Sequence, residues 1–317
     1  MKITANRLTF LRILLLPLPC LLLYGGPGAK LTALGLGSLL GLTDYFDGKL
    51  ARRQGVTRLG AFLDPIADKI FIATLYFFLA RLGFLPLWLV GGLLLREFLV
   101  SAIRPKVPGS LPVTWLAKVK TTFQMLVAAL LVAVGTFPEW AFWSLLLASF
   151  VLLVGGWLSG VSGKRFLSLV LVAALLPTLS LLPAESVSFL LGLGVLSLTW
   201  VSAFSYLRQG FSSLVSKARF ALAGEVLLPL LVFLFSASLE GWFVSLGPLV
   251  LLLFFLRAAL LLIRPIPSPS KVYLCFSLLG LCVLGVPELI PAYVILVSFY
   301  LSVEVVALLR ERIRELS

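Results

Sequence analysis

Apolar runs of roughly 17 to 25 residues recur from one end of the chain to the other, and short stretches holding the charges, glycines and prolines separate them. Their spacing predicts helices near 8–24, 31–51, 60–80, 84–103, 115–135, 139–159, 166–182, 186–206, 219–238, 241–263, 271–285 and 288–309. Runs of this length match the hydrocarbon thickness of a bilayer, where a segment must satisfy its own backbone polar groups. The expected fold is all-α: a polytopic transmembrane helix bundle made of two sets of six helices.

Composition sharpens this reading. With 61% hydrophobic and 12% charged residues, a water-soluble domain of this size could not cover its surface. Lys2, Arg7 and Arg12 precede the first apolar stretch in the manner of a secretory signal, yet no small-residue cleavage site follows, so a retained first helix is expected. Cys20, Cys275 and Cys282 have no metal-ligand spacing and read as packing residues. Histidine is absent from the sequence, which leaves acid–base and metal chemistry to carboxylates.

The formal charge of +13 would suit nucleic acid, but the basic residues fall between apolar helices rather than on a soluble face, so no nucleic-acid partner is expected. Orientation in an anionic membrane explains them better. With the N-terminus inside, the cytoplasmic loops collect Lys49, Arg52, Arg53, Arg58, Arg104, Lys106, Lys118, Lys120, Lys164, Arg165, Arg208, Lys217, Arg219, Arg264 and Lys271, while the outer loops receive Lys30 and Arg81. A multi-pass inner-membrane protein with both termini in the cytoplasm and membrane lipids for neighbours follows. The small-residue segment 155–163, ending in Lys164 and Arg165, marks a domain boundary, giving 1–165 and 166–317. The halves share traces of a duplication: Ile103-Arg104-Pro105 recurs as Ile263-Arg264-Pro265, Arg53-Gln54-Gly55 as Arg208-Gln209-Gly210, and Arg58 with Asp64 as Arg219 with Glu225.

The four aspartates of the chain all fall between positions 44 and 68. Asp44 and Asp47 are three apart at the end of one predicted helix, and Asp64 and Asp68 are four apart at the start of the next, so each pair shares a helical face. Carboxylates gathered at a membrane need compensating cations, and hard oxygen ligands suit Mg²⁺ or Mn²⁺. Surface pairing with Lys49, Arg52, Arg53, Arg58 and Lys69 is the structural alternative, but it requires no matched spacing on two helices.

Asp44-x-x-Asp47-Gly48-x-x-Ala51-Arg52 followed by Gly60-x-x-x-Asp64-x-x-x-Asp68 resembles the signature of the CDP-alcohol phosphatidyltransferases. Asn6 to Arg12, Arg96-Glu97 to Arg104, and Trp115 to Gln124 are similar to the branch of that family whose acceptor is sn-glycerol 3-phosphate. The resemblance covers about residues 1–165 and implies a six-helix catalytic domain, with CDP-diacylglycerol as donor and CMP as leaving group. It implies that Asp44, Asp47, Asp64 and Asp68 hold the metal and that Asp68 serves as general base. Gly48, Arg52 and Gly60 would then line the CDP moiety, and Arg104, Lys118 and Lys120 would bind the acceptor phosphate. Inositol phosphate, phosphatidylglycerol or another alcohol are alternative acceptors, and a transporter or scaffold with a vestigial site is the non-enzymatic alternative.

Bland roles stand beside these: Lys118 and Lys120 as inside anchors, Arg96 and Glu97 as a structural pair, Asn6 and Thr9 as helix caps. Where a second copy of the aspartate motif would fall, residues 166–317 offer Ser205, Arg208 and Glu225, which cannot rebuild a four-carboxylate site. The second half is therefore expected to be a degenerate copy or accessory domain, and the chain to be either an internal pseudo-dimer, the second half replacing the partner subunit of the homodimer that the resemblance implies, or a homodimer itself.

Overall fold

A computed structural model describes residues 11–12, 14–54, 58–103, 115–158, 160–161, 163–213, 216–241, 246–263 and 270–316, the side chains of 42–54, 58–66 and 115–119 among those left out. Within the described residues there are twelve α-helices and no strand. The first half supplies α1 (Pro17–Leu22), α2 (Pro27–Gln54), α3 (Arg58–Arg81), α4 (Leu87–Ile103), α5 (Trp115–Thr136) and α6 (Ala141–Leu158). The second supplies α7 (Lys164–Leu175), α8 (Ala184–Ser213), α9 (Ser216–Ser238), α10 (Leu246–Ile263), α11 (Ser270–Val283) and α12 (Ile290–Leu316).

Each apolar run thus becomes a helix, and the deviations have local causes. Residues 11, 12, 14 and 15 are helical, and Pro17 begins α1 as a separate short helix because a proline lacks the N–H that would continue the first one. Arg208-Gln209-Gly210, expected between helices, lies inside α8. That helix is 30 residues long, about 45 Å at the usual rise, so its end passes well beyond a hydrocarbon core and tolerates charge there. Among the described residues, Pro138–Leu158, Ala184–Phe204 and Pro287–Glu311 are long and apolar enough to cross a membrane unaided, as expected of a membrane protein.

Three consecutive helices of each half are alike in length. In each, a helix of about 30 residues (α2, α8) precedes one of 24 or 23 (α3, α9) and one of 17 or 18 (α4, α10). The last helix of each half also opens the same way: a 3₁₀ turn Pro138–Trp140 before α6 and Pro287–Leu289 before α12. The residues ahead of those turns share a backbone conformation, Phe137 at φ −132°, ψ 71° and Val286 at φ −137°, ψ 81°.

The halves do not stand apart. Helix α4 packs against α9 while α3 packs against α10, a reciprocal exchange of the kind a two-fold interface makes. Phe77 of α3, Phe98 of α4, Phe233 of α9, and Phe254 and Phe255 of α10 are all buried in one core, with Phe98 and Phe254 edge to face at 4.9 Å between centroids. Helix α8 fills the side of this core against α4 and α5. At the C-terminal ends of α3 and α9, Arg81 Nη1 donates to the Ala237 carbonyl at 2.9 Å, so the last turn of α3 satisfies the last turn of α9. Inside the second half, α9 and α11 approach so closely that a Cβ on Gly224 would meet the Leu274 nitrogen at 2.9 Å, which only a glycine permits.

Candidate functional site

Helices α2 and α3 bracket residues 55–57, so Gln54 and Arg58 can be at most about 14 Å apart. The backbone of α2 is helical through Asp44, Asp47, Gly48 and Arg52, and that of α3 through Gly60, Asp64 and Asp68. Counted back from the facing ends, Asp47 lies about 10 Å along α2 and Asp64 about 9 Å along α3, while Asp44 and Asp68 each lie about 15 Å along their helices. The sequence therefore sets the four aspartates at two matched depths on consecutive helices. The side chains of Asp44, Asp47, Gly48, Arg52, Gly60 and Asp64 lie outside the described residues, as does Arg104. Lys118 has a described helical backbone without a described side chain.

Asp68 is described. Arg12, buried to 2% exposure ahead of α1, donates from Nη1 to Asp68 Oδ1 at 3.1 Å, and the Asp68 side chain stays 35% exposed. The sequence names both residues, but a pairing across 56 positions has no local signal. The next residue, Lys69, donates from Nζ to Ser101 Oγ at 2.7 Å and lies over the Phe255 ring at 5.7 Å.

One turn before Ser101 on α4 a second group of charges begins. Glu97 Oε1 accepts from Arg96 Nη1 at 2.8 Å and from Lys120 Nζ at 2.5 Å. All three side chains are buried, and the triad sums to one positive charge inside an apolar bundle. A charge there is tolerated only when paired or when it serves a ligand. Residues 118 and 120 are two apart on α5, so Lys118 and Lys120 stand on different sides of the helix, and Lys120 is the one on the side that meets Glu97.

Further polar residues close the group. Arg96 Nε donates to the Thr199 carbonyl at 3.1 Å and its Nη2 to Ser202 Oγ at 3.2 Å. Gln124 Nε2 donates to Thr199 Oγ1 at 3.2 Å, and Tyr76 Oη donates to the Gln124 carbonyl at 3.0 Å. Thr199 and Ser202 escaped the sequence reading, and Gln124 entered it only as the end of the Trp115 to Gln124 segment, because a single hydroxyl or amide in a Leu-rich helix looks like any other small polar residue there. Their only signal is the lone polar side chain at a position the helix buries.

Asp68 is the one aspartate whose side chain is described, so the described residues supply no group of three or more acidic, Cys or His side chains for a metal. The donor set carried by α2 and α3, four carboxylates at two matched depths, is of the chemistry that a hard divalent cation takes.

A family model described as CDP-alcohol phosphatidyltransferase matches residues 2–159. A protein of Pseudomonas fluorescens named CDP-diacylglycerol–glycerol-3-phosphate 3-phosphatidyltransferase is 38% identical over 162 residues, which are 48% of this chain and 82% of that protein. The chain belongs to the CDP-alcohol phosphatidyltransferase family. A protein of the same name from Rickettsia typhi is 40% identical over 141 residues, 42% of this chain and 77% of that protein. A Mycobacterium tuberculosis protein named "Probable phosphatidylglycerophosphate synthase" is 40% identical over 140 residues, and the chain spans 64% of its length. No solved structure matches. The family match ends with α6, so the aspartates, Arg96, Glu97 and Lys120 lie inside it, and Thr199 and Ser202 lie on a helix beyond it.

Proposed function

We propose that this phosphatidyltransferase moves the phosphatidyl group of CDP-diacylglycerol onto sn-glycerol 3-phosphate, releasing CMP and giving phosphatidylglycerol phosphate at the cytoplasmic face of the inner membrane. The observation that carries the reading is the four-aspartate pattern within a segment 38–40% identical to proteins named for that reaction. Asp44, Asp47, Asp64 and Asp68 would hold Mg²⁺ or Mn²⁺, which supplies a Lewis acid against the pyrophosphate and neutralises charge as CMP departs. Gly48 and Gly60 leave room for the CDP moiety, and Arg52 offers it a guanidinium. Asp68 takes the proton of the attacking acceptor hydroxyl, with Arg12 fixing its Oδ1. The net-positive triad of Arg96, Glu97 and Lys120 supports a phosphorylated acceptor, because an arriving phosphate completes its charge; Arg104 and Lys118 are the further donors.

In this reading the second half is a degenerate copy that replaces a partner subunit. The like lengths of three consecutive helices, the matching 3₁₀ turns and the reciprocal packing of α3 and α4 with α10 and α9 support it. The purified chain should accordingly run as a monomer of 34.5 kDa protein mass when light scattering is corrected for bound detergent. A particle with twice that protein mass would reject the internal pseudo-dimer.

The reaction is tested by supplying the detergent-purified chain with CDP-diacylglycerol and Mg²⁺ or Mn²⁺, and comparing glycerol 3-phosphate, inositol phosphate, serine and phosphatidylglycerol as acceptors. CMP release should be fastest with glycerol 3-phosphate, and chelation should stop it, with recovery when the divalent ion is returned. Preference for another acceptor would move the chain to a different branch. No CMP release with any acceptor would favour a membrane protein with a vestigial site.

A further inference from the structure

We infer that Thr199 and Ser202, on a helix outside the segment shared with the family, are positioning residues for the acceptor phosphate and act through Arg96, Glu97 and Lys120. This rests on the reading above of Lys120 as a phosphate donor. Lys120 carries its ammonium on a flexible stem, and among the described residues the carboxylate oxygen it bonds is Glu97 Oε1. That oxygen is shared with Arg96 Nη1, so the carboxylate stands where the guanidinium puts it. The plane of the guanidinium is fixed in turn from the second half, with Nε on the Thr199 carbonyl and Nη2 on Ser202 Oγ. Ser202 Oγ donates its own hydrogen back to the Thr199 carbonyl at 2.8 Å, which turns its lone pairs toward Arg96.

A second brace reaches Lys120 from the other side. Thr199 Oγ1 accepts from Gln124, which lies four residues, one turn, beyond Lys120 on α5. One turn of α8 therefore holds both helices that carry the triad, and it does so with groups that are almost wholly buried: Thr199 is 0% and Ser202 3% exposed. Packing alone would not need this. Leucines would join α8 to α4 and α5 without leaving an arginine to be satisfied, whereas here the arginine is satisfied in a fixed plane and passes that order to a carboxylate and a lysine. The same strand of contacts ends beside Asp68, since Ser101, one turn past Glu97, accepts from Lys69. The second half is thus part of the acceptor site by way of Arg96.

The test uses the full chain in detergent and measures binding of sn-glycerol 3-phosphate and of CDP-diacylglycerol by titration. Ser202→Ala and the isosteric Thr199→Val should each weaken glycerol 3-phosphate about five- to tenfold and leave CDP-diacylglycerol within about twofold, while Ser202→Thr, which keeps the hydroxyl, stays near the wild type. Ser236→Ala is the control for losing a buried serine hydroxyl elsewhere, since Ser236 Oγ donates within its own helix to the Val232 carbonyl, and it should bind both ligands normally. If Ser202→Ala does not fold, Thr199→Val, which removes Oγ1 and its bond from Gln124 but keeps the carbonyl that Arg96 meets, decides through the brace on Lys120. Three results would each overturn the inference: unchanged glycerol 3-phosphate affinity in the variants, parallel loss of both ligands, or no glycerol 3-phosphate binding by the wild type. CMP release is read separately: a wild type that binds glycerol 3-phosphate through this group but releases no CMP would refute the transferase reading and leave the positioning role standing.

Discussion

Asp68→Asn should lower kcat by about 10²- to 10⁴-fold, the range that removal of a general base costs, while CDP-diacylglycerol still binds within a few-fold of the wild type. Asparagine keeps the shape of the side chain and an oxygen for Arg12 Nη1, which lies 3.1 Å from Oδ1, so the fold around α1 and α3 is retained. It cannot take a proton from the acceptor hydroxyl. Asp44, Asp47 and Asp64 are untouched and continue to engage the donor side of the reaction. Single-turnover CMP release measured beside equilibrium binding of the CDP-lipid separates the two effects. Equal losses in both would move Asp68 from proton acceptor to simple metal ligand, and turnover above about a tenth of wild type would remove it from the chemistry.

The second large effect is on stability. Glu97→Gln should destabilise the chain by about 3–5 kcal/mol, the usual penalty for deleting one partner of a buried ion pair. Here the loss is felt twice, because Arg96 Nη1 and Lys120 Nζ share the Oε1 that becomes a neutral amide atom. Both cations then lie in an apolar bundle without their counter-charge, at 5% and 8% exposure. Thermal melting in detergent reads the effect directly. A melting temperature unchanged from wild type would show that Glu97 is not what satisfies these two cations in the folded chain.

The helices were legible in the sequence because apolar length is the one signal a bilayer imposes on every span, and each of the twelve runs became a helix. Boundaries were less so. Arg208 looked like a loop residue because charge usually ends a membrane span, yet α8 carries it past the hydrocarbon, where a helix costs no more than a loop. The aspartate motif was legible through spacing, and the helical backbone of α2 and α3 keeps that spacing at matched depths. The supporting group was not. Arg96 and Glu97 stood equally well as a local pair or as site residues, and what gives them a role is contact with Lys120, Thr199 and Ser202, up to 106 positions away. Sequence separation of that size leaves no periodicity to read, and a hydroxyl that accepts from a buried arginine differs in no local way from one that bonds its own helix, as Ser236 does.

The reciprocal seating of α3 and α4 on α10 and α9 also bears on how the protein is made. A ribosome delivers α4 some 95 residues before Thr199 appears, and α3 well before Phe254 and Phe255 can cover Phe77 and Phe98. Through that interval the nascent chain carries the Arg96 guanidinium into the translocon without the acceptors that later quench it. The first six helices therefore complete their packing only once α8 to α10 have been made, and the segment that carries the aspartates waits on the helices that hold Arg96 in place.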